Sequence, residues 1–359
     1  MEQMNPNKKK IFEVFQGNFK LPPPITKEFS PSSKVVVFDL DETLGSFSDL
    51  YLLWTGTKHI CPEFNDFIKL LDLYPEFLRH NILTILNYLY EKKLENKCDK
   101  IYIYTNNQCL SREWVYLIMQ YFNDKFKGKD KILFDQVISA FKIGNTSIEL
   151  GRTSHEKTYS DLICCTMLPK NTEVCFIDDM DFIQMKQDKV YYICPKSYVH
   201  SLNVTDIVER LIESNIFEQG QRKLIMSSTY WYNWFSLHKR PSYDKYESNY
   251  EQDILISKKI MCSIREFFVL STYYEHKSYN MHHSLPPPFQ KDILKIKEVK
   301  EEVKEEVKEE VKEEIKEEVK EEEVKEEVKE GVKEEIKEVK EKEEVKEEVK
   351  KKKNKKKNK

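Results

Sequence analysis

The run Val35-Val36-Val37-Phe38-Asp39-Leu40-Asp41-Glu42-Thr43 constrains the fold more than any other stretch of the chain. A short β-branched run that is apolar at every position reads as a strand buried on both faces of a parallel sheet. Parallel strands need long crossovers, so the feature commits the chain to an α/β architecture. The strand stops abruptly at two carboxylates one residue apart, with a hydroxyl at Thr43. In open α/β sheets ligands bind beyond the carboxyl ends of the strands, where Asp39 and Asp41 stand. Alone, the pair also fits a strand terminus running into a helix cap.

Three later segments repeat the pattern. Ile101-Tyr102-Ile103-Tyr104 is a second strand, ending at Thr105-Asn106-Asn107 before a predicted helix from about Ser111 to Phe122. Thr105 fits either an N-cap or a donor to a phosphate oxygen at a strand-to-helix junction. Lys157 opens a predicted helix that runs to about Cys165, as a surface cation or as a site residue. Val174-Cys175-Phe176-Ile177 ends in Asp178-Asp179, and like charges held that close require a cation or a proton.

Strand–Asp-x-Asp, strand–Thr, Lys and strand–Asp-Asp, in that order over roughly Ser33 to Asn215, resembles the haloacid dehalogenase superfamily. Asp-Leu-Asp-Glu-Thr-Leu looks most like the phosphatases of the RNA polymerase II carboxy-terminal domain and the NLI-interacting-factor family. Gly45-Ser46-Phe47 and Asn106-Asn107 depart from that pattern. The resemblance implies a three-layer, Rossmann-like parallel sheet with small insertions. It implies Asp39 as nucleophile, Asp41 as general acid and base, and Thr43 orienting Asp41 or its neighbouring backbone. Thr105, Asn106 and Lys157 would hold phosphoryl oxygens. One Mg²⁺ would sit on Asp39, the Asp41 carbonyl and Asp179, with Asp178 behind them. The expectation is a Mg²⁺-dependent phosphatase for phosphoserine or phosphothreonine in a protein. The alternatives are the same chemistry on a small molecule or a nucleic-acid 3′-phosphate, and a non-catalytic phosphopeptide-binding module with an interaction tail.

Residues 1–30 read as an N-terminal arm and 31–215 as the α/β domain. Within the latter, Pro62 to Leu71 and Pro75 to Lys93 carry helical patterns that fit a cap over the site or a first crossover. Phe134 to Phe141 and Val190 to Cys194 read as strands, Gly144 to Ser147 as a turn, and Asn203 to Ile212 as a helix. Residues 216–290 are rich in aromatics, among them Tyr230, Trp231, Trp234 and Phe235, and read as a helical extension packed on the domain. Residues 291–350 hold a Val-Lys-Glu-Glu repeat, whose four-residue period lets the valines drift about 40° per repeat, so no coiled-coil seam forms. That segment reads as disordered or as a single helix, either a repeat expansion with little function or a spacer that recruits a protein partner. Residues 351–359 hold seven lysines.

The chain of 359 residues has a formal net charge of −3, but the repeat, with 24 Glu and 13 Lys over 301–350, is acidic and the end is basic. The first 290 residues are close to neutral, which gives no strong nucleic-acid signal. Eight cysteines without a C-x-x-C pair indicate a reducing, intracellular setting. The lysine end fits an import signal or a solubilising end, and the resemblance to nuclear phosphatases implies nucleus over cytoplasm. No apolar stretch of about 18 residues predicts a membrane span.

Overall fold

The computed structural model describes residues 11–21, 33–109, 113–126, 132–169, 171–239 and 249–272. The expectations for the repeat and the lysine end lie outside the described residues. Strands β1 (Phe12–Phe15), β2 (Phe19–Lys20) and β3 (Lys34–Phe38) are followed by helices α1 (Ser48–Ile60), α2 (Phe67–Asp72) and α3 (Ile82–Leu94). Then come β4 (Lys100–Tyr104), α4 (Glu113–Lys125), β5 (Gln136–Ile138) and a hairpin of β6 (Lys142–Ile143) and β7 (Thr146–Ser147). Helix α5 (Tyr159–Thr166) leads into β8 (Glu173–Ile177) and β9 (Val190–Pro195). Helices α6 (Val204–Glu213), α7 (Gln219–Ile225), α8 (Ser228–His238) and α9 (Tyr250–Val269) precede β10 (Ser271–Thr272).

The central sheet has the order β1-β9-β8-β3-β4-β5, parallel except for β1, which runs antiparallel to β9 at the edge. Period-two alternation sends each strand's side chains to opposite faces. Val36, Phe38, Ile101, Ile103, Cys175 and Ile177 join one core with helix residues such as Leu53, Leu86, Ile118 and Ile260. Val35, Val37, Tyr102, Tyr104, Val174 and Phe176 form a second, smaller core with Leu162 of α5 and Met185. Both faces are covered, which is why these strands read as unbroken apolar runs.

Two flanking segments join the sheet domain. The N-terminal segment expected as an arm supplies β1, paired with β9 from Phe12↔Pro195 to Phe15↔Tyr192, and β2, paired with β10. The helical extension shares the main core: Trp231, Phe235, Ile256, Ile264 and Phe267 are buried in it with the sheet residues. Among the described residues no helix is long and apolar enough to cross a membrane.

Helix α1, which sequence patterning did not anticipate, packs directly under α8. A Cβ on Gly56 would meet Trp231 Cζ3 at 2.7 Å and Trp234 Nε1 at 2.9 Å. Trp231 is wholly buried and donates from Nε1 to the Ile225 carbonyl at 2.9 Å, so it has no room to yield. Gly56→Val should therefore destabilise the fold by about 2 kcal/mol or more through overpacking, read as a lower urea midpoint.

Candidate functional site

The chain runs from β3 outward through β4 to β5, then returns on the other side of β3 with β8 and β9. The strand order therefore reverses between β3 and β8, and ligand crevices form beyond the carboxyl ends at such a point. The register Phe38↔Ile177 sets Asp39 beside Asp178 there, and the Asp39 N–H donates to the Ile177 carbonyl at 2.8 Å.

Lys157 arrives just ahead of α5, whose N-cap Thr158 accepts from the Asp161 N–H. Its Nζ donates to Asp39 Oδ1 and, at 2.6 Å, to Asp178 Oδ2. The rings of Tyr104, Phe182 and Phe176 lie 5.4–5.9 Å from that nitrogen, shielding it from water. Burial works to strip its proton, but Asp178 and Asp39 outweigh burial and hold the pKa above the ordinary lysine value. Burial likewise raises the pKa of Asp39 and of Asp178, against the pull of Lys157. Asp41 is pushed up to about 7, by burial first and by the charge of Asp39 second, while the Asn107 amide opposes the shift. Glu42 is pushed up to about 9 by burial and by Asp41.

The geometry gathers most of the sequence-predicted residues and reassigns some. Asp39, Asp41, Thr105, Asn106, Lys157, Asp178 and Asp179 all line one cleft of about 660 Å³. Thr43, expected to orient Asp41 or its neighbouring backbone, donates to Asp179 Oδ1 at 3.2 Å and accepts from the Asp179 N–H at 3.1 Å. Its hydroxyl faces the neighbouring strand end because the chain turns tightly after Asp41. Gly45 allows that turn: a Cβ there would sit 2.4 Å from the Phe77 carbonyl. Ser197, which sequence did not single out, donates to Asp179 Oδ2 at 2.6 Å. Asn106 has its Oδ1 committed to Arg152 at 2.7 Å, leaving its amide N–H groups for a ligand.

Two buried arginines, also missed, hold the loops in place. Arg79 donates to the carbonyls of Thr43 (2.6 Å), Glu42 (2.5 Å) and Lys196 (3.0 Å). It thereby secures Glu42 in the left-handed region, φ 59°, which is costly for a residue with a side chain. Arg152 donates to the carbonyls of Thr105 and Ser139, each at 3.0 Å. In sequence both look like ordinary surface arginines; only their 1% and 3% exposure sets them apart.

Asp39, Asp178 and Asp179 each place a carboxylate oxygen within 4.8 Å of the others, an arrangement that could hold a metal ion. The donors are all hard oxygens, and one lysine leaves the three carboxylates under-neutralised, so the set fits a hard divalent cation. Asp178 thus belongs to the cluster itself, not behind it. Compared with protein-family models, curated proteins and solved structures, the chain matches none.

Proposed function

We propose that the chain is a Mg²⁺-dependent phosphomonoesterase of the haloacid dehalogenase kind, acting through an aspartyl-phosphate on phosphoserine or phosphothreonine in a protein. The observation that carries this reading is the arrangement at the end of β3. Asp39 meets Lys157 and the Asp178–Asp179 pair, while Asp41, two residues on, faces the same cleft with an amide as partner instead of a cation. One carboxylate is set to attack and another to move a proton.

In the first step an Asp39 oxygen forms a bond to phosphorus as the ester P–O bond breaks. The departing oxygen keeps the electron pair and takes a proton from Asp41. In the second step water attacks the acyl phosphate and gives its proton to Asp41, and inorganic phosphate leaves with Asp39 restored. Asp41, pushed up to about 7, is matched to both duties near neutral pH. Lys157 and the Thr105 hydroxyl supply positive charge and a donor to the phosphoryl oxygens. Asp39, Asp178 and Asp179 would hold Mg²⁺, which would supply charge neutralisation for the phosphate.

An extended substrate is favoured by the surroundings of the cleft. Helices α1–α3 bury Leu53, Leu70, Ile85 and Leu86 in the sheet core and act as a crossover layer, which argues against a separate roof. A second groove shares Asn107 and Cys109 with the cleft and continues past Ser139 to Ile143 of β6.

The test is hydrolysis of an aryl phosphate by the purified chain with and without Mg²⁺, followed by a phosphopeptide panel. Turnover that a chelator removes and Mg²⁺ restores is expected. No turnover, together with no binding of beryllium fluoride in the presence of Mg²⁺, would sink the proposal.

A further inference from the structure

We propose that Asn107 is a positioning residue that holds Asp41 as proton donor, and so equips the site for esters of alkyl alcohols. This rests on the phosphomonoesterase reading above. Asn107 is one of the positions where the chain departs from the family it resembles, and it follows the strand β4 terminus by three residues.

The orientation of its side chain is set by chemistry. The Cys109 backbone N–H can only donate, and it meets Asn107 Oδ1 at 2.9 Å. The other end of the amide is therefore the NH₂ group, which donates to Asp41 Oδ2 at 2.7 Å. With Oδ2 engaged as an acceptor, the proton that Asp41 transfers resides on Oδ1. A second bond ties this arrangement to the phosphoryl cradle: the Asn107 backbone N–H donates to Thr105 Oγ1 at 2.9 Å. That bond uses an acceptor site on the hydroxyl and leaves its O–H free to donate to a phosphoryl oxygen. Arg152 anchors the same turn from beneath through the Thr105 carbonyl and the Asn106 amide. One short loop thus fixes the proton donor and the phosphoryl donor relative to each other.

The consequence depends on the leaving group. When the P–O bond of an alkyl ester breaks, the alkoxide must receive the Asp41 proton as it departs. An acidic phenol leaves as its anion and needs no proton. Orienting Asp41 through Asn107 therefore matters for ester cleavage in the first class and hardly in the second.

Asn107→Ala removes the side chain but keeps the backbone N–H to Thr105, so phosphoryl binding and KM should change little. Both substrates share the second step, where Asp41 takes the proton from water, so the contrast is read in kcat/KM, which reports the steps up to ester cleavage: on a phosphoserine peptide it is expected to fall about 10- to 100-fold, and on dinitrophenyl phosphate to stay within about threefold. Asn107→Ser, short enough to accept from the Cys109 N–H without reaching Asp41, should give the same selective loss if the alanine variant folds poorly. In an Asp41→Asn background the alanine substitution should cost nothing further. Equal loss of kcat/KM on both substrates, or no loss on either, overturns the role of Asn107. Failure of the unaltered chain to hydrolyse either substrate overturns the phosphomonoesterase reading instead, and the inference with it.

Discussion

Asp39→Asn is expected to abolish Mg²⁺-dependent hydrolysis, by roughly 10⁴-fold or more, while leaving the chain folded. The amide is nearly the size of the carboxylate but is a poor nucleophile, so no acyl phosphate forms. The fold should tolerate it, because burial already opposes ionisation of Asp39 and Lys157 retains Asp178 at 2.6 Å. Two measurements separate chemistry from stability: steady-state hydrolysis, and trapping of phosphate on the protein by acid quench during turnover. The unaltered chain should carry trapped phosphate and the variant none. Persistent turnover by the variant would assign the nucleophile to another group. Loss of turnover accompanied by unfolding would show that the carboxylate is needed for structure.

Arg79→Met should be the most destabilising single change at the site, costing about 3–5 kcal/mol, because it removes a buried charge that several groups depend on. The Thr43 and Lys196 carbonyls lose a donor, and the Glu42 carbonyl keeps only the Tyr198 N–H at 2.9 Å. Asp253 of α9 is buried, with a pKa raised by that burial and drawn back down by Arg79. Without the arginine it rises further. A carboxyl whose folded pKa lies above its unfolded value of about 3.9 loses stability as pH climbs through that range. The penalty should thus be larger at pH 7 than near pH 4, as urea unfolding at the two values would register. A shift below about 1 kcal/mol at pH 7 would mean that the loop after Asp41 holds its shape without the arginine. Lysine should not rescue it, since one ammonium lacks the fork that reaches three carbonyls.

The strand ends were readable in the chain because two signals coincide there. Val35–Phe38, Ile101–Tyr104 and Val174–Ile177 are apolar without interruption, and each stops at residues that carry chemistry. The start of α6 was nearly as legible, with Asn203 and Thr205 as alternative caps: the Asn203 side chain accepts from the Asp206 N–H, and Asp206 answers at the Asn203 N–H, a wholly local exchange. Helix α1 was not readable. Leu50 and Leu53 are buried, as are Gly56 and Thr57, so no single apolar stripe separates it from a loop, and its glycine argues against a helix until Trp231 is known to lie above it. Strand β1 was missed for a related reason, because its only strand partner among the described residues, β9, lies far along the chain.

What the sequence determined by itself is the inventory: an α/β chain with carboxylates, a hydroxyl and adjacent acids at successive strand ends. Backbone periodicity and residue chemistry are local properties, so one chain displays them. What only the tertiary structure decided is who faces whom. Lys157 reaches Asp39 across 118 residues, Thr43 turns to Asp179 across 136, and Arg79 turns inward to carbonyls of the loop at Glu42 and Thr43. Those pairings follow from strand order and from which buried donors lack any other acceptor, and neither is written in the spacing of residues along the chain.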